Sequence, residues 1–360
     1  MAENFIPQDH GGDLYSREEG PVLCDFSASI NPLGYPDGLT KALEEHWGEV
    51  LHYPDRHWRA LVAAIRGRYE LSGGEVLCGN GSAELLDLVI RSLAVKRLLL
   101  CPPDFGLYER CAPAGVEIVR IPRDEETGFG INPGKLLKAV RPGDLVLFSN
   151  PGNPSGAVLA REEVLALARG ISSAGAVLAV DEAFADYCPR CSVLDLPCDE
   201  PGLVVIRSLT KFYAIPGIRA GFLSAGCELV KRISALQLPW SVSVPAQVLA
   251  AHCLSDDNWA ARSRDYLLRS REKLVAGLKA IPGMTPLPSE VNYLLVRLDP
   301  PAPNADELYA KLRRVGTLVR HCGSFGLGSR YVRVAVRTVG ENADLVRHLQ
   351  KISGTAGQPL

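Results

Sequence analysis

A lysine flanked by hydroxyl side chains is the residue of this sequence best suited to chemistry. Lys211 follows the apolar run Leu203–Ile206, with Ser208 and Thr210 beside it and Arg219 eight residues later. A lysine after a strand is usually a solvated surface residue. The hydroxyls and the arginine could together bind a phosphate, however, and a lysine amine that is desolvated or close to another cation forms Schiff bases. The pattern therefore favours a reactive lysine beside a phosphate site.

Two further polar segments follow short apolar runs. A turn rich in Pro and Gly, which contains Asn153, comes directly after Gly143–Ser149, and Asp181 comes directly after Ala176–Val180. Ligands of open α/β sheets bind at the carboxyl ends of the strands. We therefore expect the amide, the carboxylate and the amine of Lys211 to converge on one crevice.

A glycine-rich turn precedes the amphipathic helix predicted over Ser82–Ala94. Gly79 and Gly81 would let the backbone approach an anion, and the helix N-terminus supplies unpaired N–H groups. Glu84 stands where a dinucleotide-binding fingerprint has its third glycine, so the turn alone is weak evidence for a nucleotide site. Together with the groups around Lys211, it completes a phosphate site.

The pattern of the elements predicts the fold class. Short, charge-poor runs of branched residues, such as Arg97–Cys101, are typical of strands buried on both faces of a parallel sheet. They alternate with amphipathic helices, which predicts an α/β sheet covered by helices. A long helical stretch follows over 246–280, with a candidate break at Asp256–Asn258. Beyond it, strand-like Val291–Leu298 and Tyr331–Val336 flank helix-like Ala305–Val315, which predicts a smaller α+β unit.

Composition limits the class of protein. The 360 residues favour two domains. With 39 Lys+Arg against 41 Asp+Glu, the net charge of −2 excludes a nucleic-acid binder that works by bulk positive charge. Residues 1–12 have neither a basic start nor an apolar core, so we expect no signal peptide and a cytoplasmic location. Ile233–Ser255 carries no charge but contains two prolines, and we interpret it as buried structure of a soluble protein.

The cysteines offer one competing signal. Cys188 and Cys191 form a C-x-x-C pair, with Cys198 beyond it. Such a pair could ligate zinc or undergo redox cycling, but a zinc site needs four ligands, and neither a second pair nor a histidine is near in sequence. We interpret these residues as structural or incidental thiols and predict no metal site.

Taken together, the S-x-x-K…R spacing, the N-P-x-N-P-S-G turn and the D-E-A-F segment resemble the fold-type-I pyridoxal-phosphate enzymes. The resemblance covers nearly the whole chain and is strongest to the histidinol-phosphate aminotransferase branch. It implies a large α/β domain with a mostly parallel sheet between helices, over residues 29–260, and a smaller α+β C-terminal domain over 261–360. Residues 1–28 would form an arm near the active site.

The resemblance also implies roles for individual residues around pyridoxal 5′-phosphate. Lys211 would hold the cofactor covalently, Asp181 would pair with its pyridinium nitrogen and Asn153 would donate to its phenolate oxygen. Phe105 would stack on the ring. The residues around its phosphate would be Asn80, Gly81, Ser82, Ser208 and Arg219. Many relatives have a second phenolate partner, a tyrosine, where this chain has Phe184. The resemblance further implies a homodimer, in which Tyr53 would reach the cofactor phosphate of the other subunit.

The choice of reaction depends on residues outside the cofactor set. By resemblance, the substrate-binding residues would be His10, Gly11, Asn31, Asn153, Arg320 and Arg333. The N-terminal segments resemble those of the threonine-phosphate decarboxylases, which implies decarboxylation of L-threonine O-3-phosphate in cobalamin biosynthesis. A histidinol-phosphate aminotransferase is the first alternative. A catalytically silent, cofactor-binding regulator is the second, and the intact Lys211 and Asp181 argue against it.

Overall fold

Residues 11–14 and 22–354 of the chain are described by a computed structural model. Their strands, in chain order, are β1 (Cys24–Asp25), β2 (Glu75–Gly79), β3 (Arg97–Leu100), β4 (Glu117–Arg120), β5 (Leu145–Ser149), β6 (Val177–Asp181), β7 (Leu203–Ser208), β8 (Gly221–Ala225), β9 (Met284–Pro286), β10 (Tyr293–Leu298), β11 (Thr317–Leu318), β12 (Arg320–His321) and β13 (Tyr331–Ala335). Their α-helices are α1 (Leu39–His46), α2 (Arg59–Tyr69), α3 (Ser82–Ser92), α4 (Leu107–Arg110), α5 (Pro133–Ala139), α6 (Arg161–Ser173), α7 (Cys227–Ser234), α8 (Val244–Leu254), α9 (Asp257–Lys279), α10 (Ala305–Arg314) and α11 (Val339–Ile352).

The larger of two compact units comprises residues 34–153 and 157–261. Its sheet has the order β2-β8-β7-β6-β5-β3-β4, and β8 runs antiparallel to both of its neighbours while the other pairs are parallel. Every residue of β5 and β7 is buried, as their branched, charge-poor sequences predict. The predicted α/β sheet is therefore confirmed.

Helix α3 shows why the amphipathic segments cover this sheet. Leu85, Leu86 and Val89 lie on one face of the helix and pack into a buried cluster with Leu98 and Leu147 of the sheet. Residues spaced by three and four positions lie on one side of an α-helix, so the stripe visible in the sequence becomes the buried face.

The predicted break in the long helical stretch is also present, between α8 and α9. The side chain of Asp256 accepts a hydrogen bond of 2.8 Å from the backbone N–H of Trp259. A carboxylate in that position satisfies one of the free N–H groups in the first turn of a helix, which is why a new helix begins there.

The smaller unit comprises residues 1–33, 154–156 and 262–360, of which the structure describes the parts stated above. It contains an antiparallel sheet of order β12-β13-β10-β9, and β1 pairs in parallel with β11. The α+β character predicted beyond the long helix is thus observed. Residues 29–33, which the sequence-based division placed with the large domain, belong to this unit, and the packing of residues 1–28 near the active site stays a prediction.

The charge-free segment Ile233–Ser255 is buried only in part: Ile233, Val242 and several residues of α8 are buried, and the connection between α7 and α8 is not. Leu236, Leu238 and Trp240, which connect α7 to α8, are exposed, Leu238 by 75%. The interpretation is wrong for this connection, because a run without charges can form an apolar surface as readily as a core. Among the described helices, none is both long and apolar enough to cross a membrane.

Candidate active site

Strand register brings the predicted polar residues to one edge of the large sheet. Ser149, at the end of β5, is paired with Asp181, at the end of β6. Ser208, at the end of β7, is paired with Gly221, which is in turn paired with Gly79 at the end of β2. Because β8 is antiparallel, its first residue lies at the same edge as the last residues of its neighbours. The segments that carry Asn153, Lys211 and Arg219 therefore leave the sheet at this edge.

The glycine-rich turn before α3 lies directly against Arg219. A Cβ built on Gly81, whose φ is +78°, would stand 2.4 Å from Nη2 of Arg219, and a Cβ built on Gly221 would stand 2.7 Å from the backbone nitrogen of Ser82. The two missing side chains let the guanidinium, the turn and the N-terminus of α3 pack closely together, and these groups form a positive cradle. Such a cradle fits the phosphate of the cofactor.

Glu84 holds this turn in place. In the sequence, Glu84 was noted only as a departure from the dinucleotide-binding fingerprint, and this role was not predicted. Its Oε2 accepts a hydrogen bond of 2.6 Å from the backbone N–H of Asn80 and one of 3.2 Å from the hydroxyl of Ser241. The signal in the sequence was the spacing of four residues between Asn80 and Glu84, which lets an acidic side chain in the first turn of a helix reach back to the preceding backbone. Ser208, also predicted for the phosphate, shares a 2.8 Å hydrogen bond with the hydroxyl of Thr210.

Asp181 is a buried carboxylate held by two donors. The Tyr108 hydroxyl donates to Oδ2 at 2.8 Å, and the backbone N–H of Ala183 donates to Oδ1 at 3.0 Å. Burial raises the pKa of Asp181 to about 6, although both hydrogen bonds and the charge of Lys211 lower it. A positively charged ring nitrogen would favour the ionised form, so this carboxylate fits the pyridinium of the cofactor. The contact of Tyr108 with Asp181 was not predicted, because the position of Tyr108 in the sequence does not indicate which distant side chain it contacts.

The lysine is attached to the same edge by its backbone. Lys211 is half-buried, and its carbonyl accepts a hydrogen bond of 3.2 Å from the hydroxyl of Tyr187. Asn153 is buried, and Phe105 is half-buried and packs edge-on against Tyr108, with ring centroids 5.7 Å apart. Strand register thus brings the ends of the segments that carry these residues to one edge, and the roles assigned to the side chains stay predictions.

In the smaller unit, Arg320 and Arg333 occupy opposite positions on β12 and β13. Both side chains are buried, with residue exposures of 4% and 7%. Arg320 donates to the hydroxyl of Ser324, and Arg333 donates to the carbonyl of Ser27 at 2.9 Å. The guanidinium of Arg333 also lies 5.0 Å from the centroid of the Tyr293 ring. Two arginines at paired positions of neighbouring strands suit an acidic substrate group.

Of the three predicted substrate residues near the N-terminus, the structure describes Gly11 and Asn31. His10 lies outside the described residues. Gly11 packs so closely that a Cβ there would stand 2.3 Å from the carbonyl oxygen of Ser27. The side chain of Asn31 is buried, donates to the hydroxyl of Ser263 at 3.0 Å and accepts from the N–H of Leu33 at 3.0 Å. These contacts give both residues a packing role, and their contact with substrate stays a prediction.

Tyr53 lies on the surface of the larger unit, where 79% of it is exposed. Its ring stacks on that of Trp240, with centroids 4.6 Å apart and an angle of 27° between the planes. Leu51 and Leu238 are also largely exposed. An exposed aromatic pair of this kind fits a protein contact surface.

Phe184 and the C-x-x-C pair are part of the buried structure. Phe184 is buried, and so are Cys188 and Cys191. The hydrogen bond that it shares with the Cys188 thiol, and burial, raise the pKa of Cys191 above its ordinary range, which makes it a poor nucleophile and metal ligand. Among the side chains that the structure describes, no group of three or more His, Cys, Asp or Glu residues could hold a metal ion.

Comparisons with known proteins agree with this arrangement. The model of the family "Aminotransferase class I and II" matches residues 24–352. Threonine-phosphate decarboxylase of Salmonella typhimurium is 33% identical over 356 residues, which cover 95% of this chain and 96% of that protein. The solved histidinol-phosphate aminotransferase of Clostridium acetobutylicum is 28% identical, with a TM-score of 0.87 over 92% of this chain and 99% of that one. A histidinol-phosphate aminotransferase of Sinorhizobium meliloti, solved in complex with pyridoxal-5′-phosphate, has a TM-score of 0.83 at 20% identity, over 93% of this chain and 92% of that one.

Proposed function

The chain belongs to the class I and II aminotransferase family, and we propose that it is a pyridoxal-phosphate-dependent decarboxylase of L-threonine O-3-phosphate. The products would be (R)-1-amino-2-propanol O-2-phosphate and CO2, in cobalamin biosynthesis. The observation that carries this proposal is the similarity to a threonine-phosphate decarboxylase along almost the full length of both chains. It is supported by the set of residues that fit the cofactor at the edge of the sheet.

The cofactor would be held at three places. Lys211 would hold it covalently through Nζ, Asp181 would balance the charge of its ring nitrogen, and the turn at Gly81 with Arg219 would bind its phosphate. Bound pyridoxal phosphate supplies an electron sink, which stabilises the negative charge left on a substrate carbon when one of its bonds breaks. The 2.8 Å hydrogen bond from Tyr108 fixes the orientation of the Asp181 carboxylate.

The protein decides which bond breaks, because it determines how the substrate is oriented. In the proposed reaction the carboxylate leaves as CO2 and the same carbon receives a proton, for which Nζ of Lys211 is the candidate donor. Binding the carboxylate tightly in the ground state would not accelerate its loss, since uniform binding leaves the barrier unchanged. The phosphate stays on the product, and its contacts can therefore supply the positioning energy. Arg320 and Arg333 are the candidates for binding this phosphate, and His10, Gly11 and Asn31 are further predicted contacts.

A histidinol-phosphate aminotransferase is the second candidate, favoured by the TM-score of 0.87 to the enzyme of that name. One pair of assays separates the two. The proposed function predicts CO2 release from L-threonine O-3-phosphate and little amino transfer from histidinol phosphate to 2-oxoglutarate. Efficient amino transfer without CO2 release would overturn the decarboxylase and establish the aminotransferase.

The proposal includes a homodimer in the cytoplasm. The exposed stack of Tyr53 on Trp240, together with the exposed side chains of Leu51 and Leu238, supports a contact surface for a second copy of the chain. Free thiols at Cys78, Cys101 and Cys253 are compatible with a reducing compartment.

A further inference from the structure

A buried ion pair lies beside the residues predicted to contact the cofactor ring. Nη2 of Arg123 donates to Oδ2 of Asp104 at 2.6 Å, and only 2% and 4% of the two side chains are exposed. Arg123 also donates to the carbonyl of Cys101 at 2.9 Å and to that of Ser149 at 2.8 Å. Asp104 follows β3, Arg123 follows β4 and Ser149 ends β5, so the pair connects three neighbouring strands at the active-site edge.

The carboxylate of Asp104 is directed at protein groups. Its Oδ1 accepts from the hydroxyl of Ser149 at 2.5 Å and from the backbone N–H of Phe105 at 2.9 Å. Its Oδ2 accepts from the backbone N–H of Ser149 at 3.0 Å as well as from Arg123. With four donors around two oxygens, Asp104 is engaged in holding the backbone.

Ser149 passes this constraint on to Asn153. Because the Ser149 hydroxyl donates its proton to Asp104, its oxygen lone pairs are left to accept, and it accepts from the backbone N–H of Asn153 at 2.9 Å. Asp104 therefore fixes the backbone of Phe105 directly and that of Asn153 through one hydroxyl. These are the two residues predicted to stack on the cofactor ring and to donate to its phenolate oxygen.

We propose that Asp104 and Arg123 are positioning residues, which hold Phe105 and Asn153 in the geometry that binds the cofactor ring. The inference rests on the cofactor of the proposed function. A buried ion pair is weak evidence for stability, because desolvation offsets much of its attraction. The pair orients Phe105 and Asn153, and this role explains its presence here, since supporting hydrogen bonds determine how accurately a binding residue is held.

The test measures cofactor affinity in the full-length chain. Cofactor is removed from the wild type and from the Asp104→Asn variant, and the dissociation constant for pyridoxal phosphate is measured by equilibrium dialysis, beside the unfolding midpoint of each apoprotein. The substitution replaces one accepting carboxylate oxygen by an amide NH2, a donor that faces groups which are themselves donors. We expect the dissociation constant to rise at least about 10-fold, the scale of a hydrogen bond to a charged group.

Asp144→Asn is the matched control. Asp144 is equally buried, lies 3.3 Å from Nη1 of Arg97 and accepts from the backbone N–H of Arg141 at 2.7 Å. It directly precedes β5, whose far end is Ser149, so the control makes the same substitution at the opposite edge of the same sheet. A purely structural role for Asp104 predicts equal cofactor affinities for the two variants, whatever their midpoints.

Ser149→Ala keeps the inference testable if Asp104→Asn does not fold. It leaves the ion pair in place and removes only the hydroxyl between Asp104 and Asn153, so it should also weaken cofactor binding relative to Asp144→Asn. If the wild type binds pyridoxal phosphate and Ser149→Ala and any folded Asp104→Asn bind it as tightly as the control, the positioning role is wrong and the cofactor assignment stands. A wild type with no saturable binding overturns both.

Discussion

Arg320 and Arg333 are direct cross-strand partners, and both are buried. Side chains at opposite positions of an antiparallel pair lie on the same face of the sheet, where two like charges destabilise each other. Desolvation lowers the pKa of Arg333, but a guanidinium stays charged at any physiological pH. A dianionic substrate group would offset this repulsion, which would explain why two arginines occupy paired, buried positions in the smaller unit.

The first prediction concerns Arg333. In Arg333→Ala, kcat/KM for L-threonine O-3-phosphate should fall at least ~10²-fold, or ~2.7 kcal/mol, the scale of a lost charged contact. Steady-state CO2 release measures it. Arg330→Ala is the control, because the side chain of Arg330 is 59% exposed and should change little. Equal losses in the two variants, or efficient turnover of unphosphorylated threonine by the wild type, would contradict an anion-binding role.

Gly81 provides the second prediction. A Cβ at this position would stand 2.4 Å from Nη2 of Arg219 and the φ of Gly81 is positive, so the methyl group of Gly81→Ala would both collide with the guanidinium and strain the backbone. We expect at least about a 10-fold loss of affinity for pyridoxal phosphate, because charged hydrogen bonds to phosphate contribute on that scale. Gly217→Ala is matched to it, since nothing lies within 4 Å of a Cβ there. Unchanged affinity in Gly81→Ala would rule out this turn as the phosphate site.

A third experiment identifies the covalent attachment. Borohydride reduction of the loaded protein, followed by peptide mapping, should place the cofactor on Lys211. Lys211→Ala should lose both the covalent label and turnover, because Lys211 is the only lysine in the loop between β7 and β8 and its amine is the proposed point of attachment. A label on any other lysine would remove Lys211 from the site.

Asp181 gives a prediction about pH. Its pKa is raised from 3.8 to about 6 in the folded chain, chiefly by burial. Between these values the folded apoprotein binds a proton that the unfolded chain releases, so its stability falls as pH rises through this window. Asp181→Asn does not ionise and should be the more stable apoprotein at pH 7, by an advantage of about 3 kcal/mol, since one pKa unit is worth about 1.4 kcal/mol.

Urea unfolding of the two apoproteins at pH 4 and pH 7 measures this difference. The advantage of Asp181→Asn should shrink towards pH 4, where both side chains are uncharged in the folded state. The same variant should retain pyridoxal phosphate poorly, because the charge opposite the ring nitrogen is gone. Stability curves that run parallel across the whole range would show that Asp181 is not desolvated as the structure indicates.

The fifth prediction concerns Tyr53. If its hydroxyl reaches the cofactor phosphate of a second subunit, Tyr53→Phe should weaken cofactor retention and leave the unfolding midpoint unchanged, because the ring can still stack on Trp240. Tyr35→Phe, at another exposed tyrosine, should change neither. Sedimentation of the wild type is the complementary measurement, and a monomer with full activity would remove the intersubunit role.

The sequence was most informative where one strand end carried one polar residue. The parallel strands and the positions of Asp181 and Lys211 follow from local patterns, because a charge-poor run and its terminus are contiguous in the chain. The hydrogen bond from Tyr108 to Asp181 joins residues 73 positions apart, and that from Ser149 to Asp104 joins residues 45 apart. Such contacts depend on strand order, which alternation alone does not determine, and so these supporting residues could only be found in the structure.

The pairing of Ser208 with Gly221 has a consequence for how a cofactor would be lost. The loop between these two residues contains both Lys211 and Arg219, so the proposed covalent and ionic attachments would share the same two anchor points. Proteins open locally in small cooperative segments, at a lower cost than global unfolding. Opening of this single loop would release both attachments together while the rest of the sheet stayed folded. The lifetime of the bound cofactor would therefore be set by the local stability of one hairpin.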